Sequence, residues 1–367
     1  MKPKTKRIAA ISALVAAGLA LGGFLLMASG IIPVKASDGH WPLTSWLLRF
    51  SMHRSMATHG LGSKPPQLDD PNLILKGAGH FDLSCRGCHG APGLPPARVT
   101  QTMLPRPADL APRVPELSPQ QLFQIVKHGV KFTGMPAFPS QQRDDEVWAV
   151  VAFLRQLPAL DAAGYRRLAH GEEGSGTSAP IPTDLSGIGL RAYQSCVQCH
   201  GADGHGRGTA IPALAGQRPE YLFQALRAYR DERRQSGIME PVVAGLDDAA
   251  LGALAQHYAA LPARKPATSS SATEDFAAIR ELVEHGAPAR RIPACLECHD
   301  AGGKRMSPEH PSLAGQPAAY LESQLHLFHQ NRRGGGPRAH LMQPIATRLT
   351  PEEIAALAKY FESQRAE

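Results

Sequence analysis

Charge disappears from one long stretch near the start of the chain and is frequent almost everywhere else. Residues 8–32, IAAISALVAAGLALGGFLLMASGII, form an apolar run of 25 positions behind MKPKTKR, which as a helix is long enough to cross a bilayer. Farther on, apolar residues recur at helical spacing in three similar segments. These are Val147, Val150, Val151 and Leu154 in DDEVWAVVAFLRQLP, Leu251, Leu254 and Tyr258 in LDDAALGALAQHYAALP, and Ile354, Leu357, Ala358 and Phe361 in TPEEIAALAKYFESQ. Each predicts an amphipathic helix. The last opens on Thr350, Pro351 and Glu353, a capping box with proline at the first helical position, and Ser118-Pro119-Gln120-Gln121 gives an earlier helix the same start. Polar loops rich in Gly and Pro lie between, and no stretch alternates as a strand would. The expected fold class is all-α.

Punctuation divides the chain. HGEEGSGTSAPIPT at 170–183 and ARKPATSSSAT at 263–273 lack apolar periodicity and read as linkers. They separate three units, 65–169, 184–262 and 274–367, behind an apolar segment at 1–35 and a tether at 36–64. Flexible linkers imply units that move independently. Each unit has about a hundred residues, a size at which a hydrophobic core alone gives limited stability.

The basic excess belongs to the N-terminus. The net charge is +7, but five of the 39 basic residues, Lys2, Lys4, Lys6, Arg7 and Lys35, precede residue 36 with no acid among them, leaving 34 basic against 32 acidic side chains. With no basic helix interleaved with aromatics, nucleic acid is excluded as a partner. Four positive charges before the apolar run place the N-terminus in the cytoplasm and the units outside. VKAS at 34–37 offers a signal-peptidase site, yet the apolar run is longer than the h-region of a signal peptide, which favours an uncleaved anchor. In the tether, HWPLTSWLLRFSMHRSM sets Trp41 and Trp46 near the membrane exit. It reads either as an interfacial helical turn or two, or as a tether packed on unit 1.

The chemistry lies in three pentads, Cys85-Arg86-Gly87-Cys88-His89, Cys196-Val197-Gln198-Cys199-His200 and Cys295-Leu296-Glu297-Cys298-His299, which use all six cysteines. A zinc site would pair one Cys-X-X-Cys with another and needs no following histidine, and a thioredoxin-like motif occurs once with a low-pKa thiolate. Covalent haem attachment needs both cysteines and the histidine, the cysteines as thioethers and the histidine as proximal iron ligand. Three covalently attached haem c groups are therefore expected. A second axial ligand follows from position: Met135, Met239 and Met342 each lie well behind their pentad histidines His89, His200 and His299, shortly before the closing helix and with proline at the next position or the one after. A lone methionine is ordinarily core filling; the matched placement makes these three the ligand candidates, with Met103 and Met306 as alternatives in their units. His128, His205, His257, His326, His329 and His340 read as solvated or loop residues.

Pentad near the front, methionine near the back and a closing helix together resemble a tandem of class I c-type cytochromes. Units 2 and 3 share PALAGQRPEYL from Pro212 and PSLAGQPAAYL from Pro311, each starting at the same offset from its pentad histidine, and resemble the diheme cytochromes of bacterial periplasms. The resemblance implies that the Pro212 and Pro311 carbonyls accept the histidine N–H. Unit 1 lacks LAGQ; its candidate prolines, Pro105 and Pro107, lie farther from their histidine than that offset, and its acceptor stays open. Its LFQIVKHGVKFTGMPAF is similar to single-haem domains in cytochrome subunits of membrane-bound dehydrogenases and oxidases. Unit 3 departs in having Asp300 where the others have Gly90 and Gly201. The implied activity is electron transfer without substrate chemistry, because a His/Met iron has no open position. Expected partners are redox proteins: a dehydrogenase subunit as donor, with a terminal oxidase or a quinol-oxidising complex as the alternative setting. A peroxidase-type enzyme would need an iron that lacks its methionine, with Met342 the place to look. The expected location is the outer face of a bacterial cytoplasmic membrane, with the haem units in the periplasm.

Overall fold

The structure, a computed structural model, describes residues 3–32, 35, 37–171, 181–265, 276–299 and 307–365. Most of both linkers, part of the VKAS site, Asp300 and Met306 lie outside the described residues. Among those described there are helices and two isolated bridges, Ala91 with Leu94 and Ala287 with Ile292, and no strand.

Three separate apolar clusters form, each containing the first cysteine of one pentad. In unit 1, Phe81, Phe153, Tyr165, Val147 and Val151 are wholly buried, Phe123 stacks on Trp148 at 4.4 Å, and Cys85 packs against the cluster. Helix Pro71–His80, N-capped by Asp70, crosses helix Asp144–Gln156 so closely that a Cβ on Gly77 would collide with the Ala149 carbonyl. Unit 2 gathers Leu185, Tyr193, Val197, Leu222, Leu254 and Tyr258 with Cys196. Unit 3 gathers Leu282, Ile292, Leu321, Ile354, Leu357 and Phe361 with Cys295. The closing helices run Asp144–Gln156, Asp248–Ala260 and Pro351–Ser363, and both capping boxes are formed.

The units are locked together, against the independent motion that linker composition implied. Units 2 and 3 meet through a reciprocal pair of amides. Gln217 Nε2 donates to the Ser312 carbonyl (2.9 Å) and its Oε1 accepts Ser312 N–H (2.8 Å), while Gln316 does the same with Ala213 (2.8 and 3.2 Å). Both glutamines close the LAGQ element at one shared offset from His200 and His299, and the partners Ala213 and Ser312 share another, so the junction has local two-fold character. Units 1 and 2 meet differently. Arg207 donates to the Arg167, Leu168 and Ala169 carbonyls at 3.0 Å, covering the C-terminus of helix Ala162–His170. Arg143 Nη1 donates to the Gln235 carbonyl (2.8 Å), and Gln198 Nε2 donates to Asp82 (3.2 Å). Linkers govern freedom only while the surfaces they join have nothing to exchange, and here they exchange buried hydrogen bonds.

Helix Pro3–Ala28 is exposed from Lys4 onward, and its stretch from Lys4 to Ala28 is long and apolar enough to cross a membrane. The tether is a single helix, Pro42–Gly60, longer than the turn or two expected. Its far end packs on unit 1, where Gly60 is buried against Gln120.

Candidate haem sites

Each pentad closes a helix on its histidine, so the two cysteines and the imidazole project near one another. In unit 2 the helix Leu190–His200 ends at Gly201, whose φ of 76° suits glycine and turns the chain away at once. In unit 1 the chain passes from helix Pro71–His80 through a π-helical turn, Phe81–Cys85, into Arg86–His89. Such widened turns recur at functional sites because they re-aim the residues that follow. Unit 3 presents its pentad on the short helix Leu296–His299. Burial pushes the Cys85 and Cys196 thiols up to about 12 and those of Cys199 and Cys295 to about 11. Such thiols are the opposite of the acidic thiolate a redox Cys-X-X-Cys requires.

The imidazoles are oriented by backbone. His200 Nδ1 donates to the Pro212 carbonyl at 3.0 Å, and His299 Nδ1 to that of Pro311 at 2.9 Å. In unit 1 the acceptor of His89 Nδ1 is the Ala108 carbonyl at 2.8 Å, neither Pro105 nor Pro107. A ring that donates from Nδ1 keeps its Nε2 lone pair free for a metal. His299 Nε2 is buried with no partner, and burial holds its ring down at about 4, hence neutral. A buried, neutral, unpartnered nitrogen is a fitting iron ligand.

Two of the candidate sulfurs share a cavity with these rings. Cys196, Cys199, His200 and Met239 line one continuous cavity with Cys295, Cys298, His299 and Met342, and Pro212 and Pro311 line it too. Met239 and Met342 do not sit in proline-stiffened loops as expected. Each is the first residue of a one-turn helix, Met239–Val243 and Met342–Ala346, with proline in a turn whose N–H groups have no helical partner to lose. Met135 does sit in a loop, half-buried, its N–H accepted by Thr133 Oγ1 at 3.1 Å and its carbonyl accepting Val130 N–H at 3.2 Å. Cys85, Cys88, His89 and Met135 stay within unit 1, apart from the shared cavity. The Met103 methyl packs on Gly134, beside Met135.

Several residues of the cavity escaped the reading of the sequence, Arg234, Arg333 and His310 among them. Arg234 and Arg333 line it, and both bond to neutral groups: Arg234 to Tyr320 (3.2 Å) and Gln324 (3.1 Å), Arg333 to Gln324 (2.7 Å). A buried and a half-buried cation in a largely apolar chamber fit the carboxylate edge of a porphyrin. Their signal was in the spacing, since 234 − 200 and 333 − 299 are both 34. His310, next to Pro311, also lines the cavity, its ring 6.1 Å from that of His299 and its Nε2 unpartnered. His257, expected to be solvated, lies instead within helix Asp248–Ala260, its Nδ1 2.9 Å from Asp184 Oδ2, and His205 Nε2 meets the Pro262 carbonyl at 2.9 Å.

Paired cysteines, carbonyl-oriented histidines, and thioethers and guanidiniums lining the same cavity define a protein that holds haem c covalently and moves electrons. The chain belongs to the class I c-type cytochromes. A cytochrome c family model matches residues 170–259 and 288–365, and a model of cbb3-type cytochrome c oxidase subunit III matches residues 72–154. The chain is 36% identical over 176 residues to a thiosulfate dehydrogenase electron acceptor of Thiomonas intermedia, covering 46% of this chain and 78% of that one. It is 38% identical over 173 residues to the protein of the same name from Stutzerimonas stutzeri, covering 46% and 79%. With cytochrome c4 of Thiocapsa roseopersicina it shares 33% over 193 residues, 52% of this chain and 97% of that one.

Proposed function

We propose that the chain carries three haem c groups and passes electrons from a periplasmic dehydrogenase along a membrane-tethered relay. The haems would be held through Cys85 and Cys88 with His89 and Met135, through Cys196 and Cys199 with His200 and Met239, and through Cys295 and Cys298 with His299 and Met342. When bound, the iron supplies one-electron chemistry with a potential that the methionine sulfur raises relative to a second histidine. The chain's own part is to orient the imidazoles through Ala108, Pro212 and Pro311, to exclude water, and to set Arg234 and Arg333 where porphyrin carboxylates need partners. The observation that carries this reading is the continuous cavity lined by two complete sets of two cysteines, a histidine and a methionine.

The dehydrogenase as donor is supported by the two relatives named as electron acceptors of such an enzyme. An oxidase as the acceptor, with this chain as shuttle, is the second reading, favoured by the match of unit 1 to an oxidase subunit. Tethering is supported by two features. Helix Pro3–Ala28 can span a bilayer, and on helix Pro42–Gly60 Leu43, Trp46, Leu47 and Phe50 occupy one face at i, i+3, i+4 and i+7, between 49% and 69% exposed. An apolar, Trp-bearing face beside such a helix suits the headgroup layer.

Intact mass of the matured protein tests the count, with three haem increments expected; a mass equal to the bare chain would sink the reading. Reduction by a partner dehydrogenase, compared with reduction by quinol, separates the two settings.

A further inference from the structure

Unit 1 touches the middle site both near its methionine and at its pentad. On the methionine side, Arg143 and Glu146 are 6% and 2% exposed and line the cavity that holds His200 and Met239. Ser236 Oγ donates to Glu146 Oε1 at 2.7 Å and accepts Met239 N–H at 3.1 Å, and Arg143 Nη1 holds the preceding carbonyl, that of Gln235. The stretch just before Met239 is thus fastened to unit 1 at Gln235 and Ser236. On the histidine side, Asp82 of unit 1 accepts from Gln198, which stands between the two cysteines of the middle pentad and is 4% exposed. Helix Pro71–His80 comes so near that a Cβ on Gly79 would lie 3.0 Å from Cys199 Sγ. The same Asp82 pairs with Arg86, inside the first pentad, at 2.8 Å, so one carboxylate ties two haem-bearing segments together. Unit 3 has an acid, Glu297, in the place of Gln198, and a carboxylate could not donate that bond.

We propose that unit 1 is a working part of the middle haem site, with Glu146, acting through Ser236, and Asp82 as positioning residues for its Met239 side and its Cys196–His200 side. The inference rests on the three-haem reading above. A thioether is a neutral and weak ligand, so its hold depends on how firmly the chain presents it; a buried anion beside a pentad favours the oxidised iron. Loosening the methionine side therefore lowers the potential of one centre. Neutralising Asp82 raises the potentials of two.

The test is a resolved redox titration of the full holoprotein, with the near-infrared sulfur-to-iron band and intact mass recorded on the same samples. Ser236→Ala, which removes only the linking hydroxyl, is expected to lower one potential and to cost up to about a third of the band, one haem's share. Glu146→Gln keeps an acceptor for Ser236 and should retain the band, whereas Glu146→Ala should lose it as Ser236→Ala does. Should Glu146→Ala not fold, Ser236→Ala decides alone. Asp82→Asn should raise the first and middle potentials and leave the third. Three unchanged potentials in Ser236→Ala and Asp82→Asn, or a uniform shift of all three, would overturn the proposal. A mass short of three haems in the unaltered protein instead defeats the functional reading beneath it.

Discussion

The two junctions of this chain solve the same problem with different chemistry. Between units 2 and 3 the reciprocal part of the contact is neutral, two glutamine amides each making two bonds with the other unit's backbone beside the carbonyl that orients its histidine, while Arg218 and Arg234 of unit 2 donate to uncharged groups of unit 3. Between units 1 and 2 it is charged and not reciprocal, built from Asp82, Arg143 and Glu146 of unit 1 and Arg207 of unit 2. A repeated unit can meet its copy through the same surface used twice, so a single element such as LAGQ serves both partners. Unit 1 lacks that element and must supply its own anchors. The amide pair brings no carboxylate to the shared cavity, whereas the charged junction places one between two pentads.

Breaking the charged junction should produce the largest effect. Arg143 bonds Glu146 at 2.7 Å with both side chains almost fully buried. Arg143→Ala strands a buried carboxylate, a class of change that costs about 3–5 kcal/mol. Thermal unfolding of the oxidised protein should fall accordingly, with protection from proteolysis lost first between units 1 and 2. Early loss between units 2 and 3 would contradict the assignment of this pair to the first junction.

Acid should separate the junctions next. Burial alone would raise the Asp82 carboxyl, but hydrogen bonds from His170 and Tyr165, with the charges of His170 and Arg86, outweigh it and hold the group at about 2 against an ordinary 3.8. A depressed carboxylate contributes stability that is present above 3.8 and is lost as pH falls through 2, here about 2 kcal/mol. The glutamine junction has no carboxylate in its paired bonds. Hydrogen exchange followed from pH 5 downward should therefore show Gln198 and its neighbours opening before Ala213 and Ser312.

The two-fold character of the second junction predicts a smaller, matched effect. Gln217→Ala and Gln316→Ala each remove two hydrogen bonds across the junction, about 1–2 kcal/mol per variant, and Gln217→Ala also loses the bond from Arg218 N–H within its own unit, so the two losses should be similar with that of Gln217→Ala no smaller. A clearly larger loss in Gln316→Ala would show that the symmetry is geometric only. Their potentials should shift less than that of Ser236→Ala, because neither amide bonds to a residue of the pentads or the methionine turns.

How much of this was legible in the sequence follows from the range of each interaction. The pentads, capping boxes and closing helices are local patterns, and the Pro212 and Pro311 acceptors lie at one fixed offset from their histidines in repeated text. Ala108 was hidden because unit 1 inserts the helical turn Arg98–Gln101 before its acceptor, so that the step from ring to carbonyl is 19 positions where units 2 and 3 take 12. Asp82 with Gln198, or Gln316 with Ala213, are separated by 116 and 103 positions, and no periodicity reports such pairs. The linkers misled because their composition describes only themselves. Arg234 and Arg333 were readable in retrospect from equal offsets, but a charge balance taken over the whole chain averages a buried cation away.

The smallest expected effect concerns the one place where unit 1 has two sulfurs and unit 2 has one. Met103 and Met135 lie beside the same glycine, Gly134, against which the Met103 methyl packs. Both could reach an iron on sequence grounds, but the chain holds them differently. Met135 has its N–H and its carbonyl fixed by Thr133 and Val130, which orders the backbone that presents its sulfur, while Met103 fills space. Met103→Leu is a volume-conserving swap and should cost under about 1.5 kcal/mol and leave the near-infrared band whole. Met135→Leu should remove one haem's share of it. If the two variants exchanged these outcomes, the ligand of unit 1 would lie close behind His89 instead of just before the closing helix, and unit 1 would part from units 2 and 3 in its iron chemistry as well as in its junction.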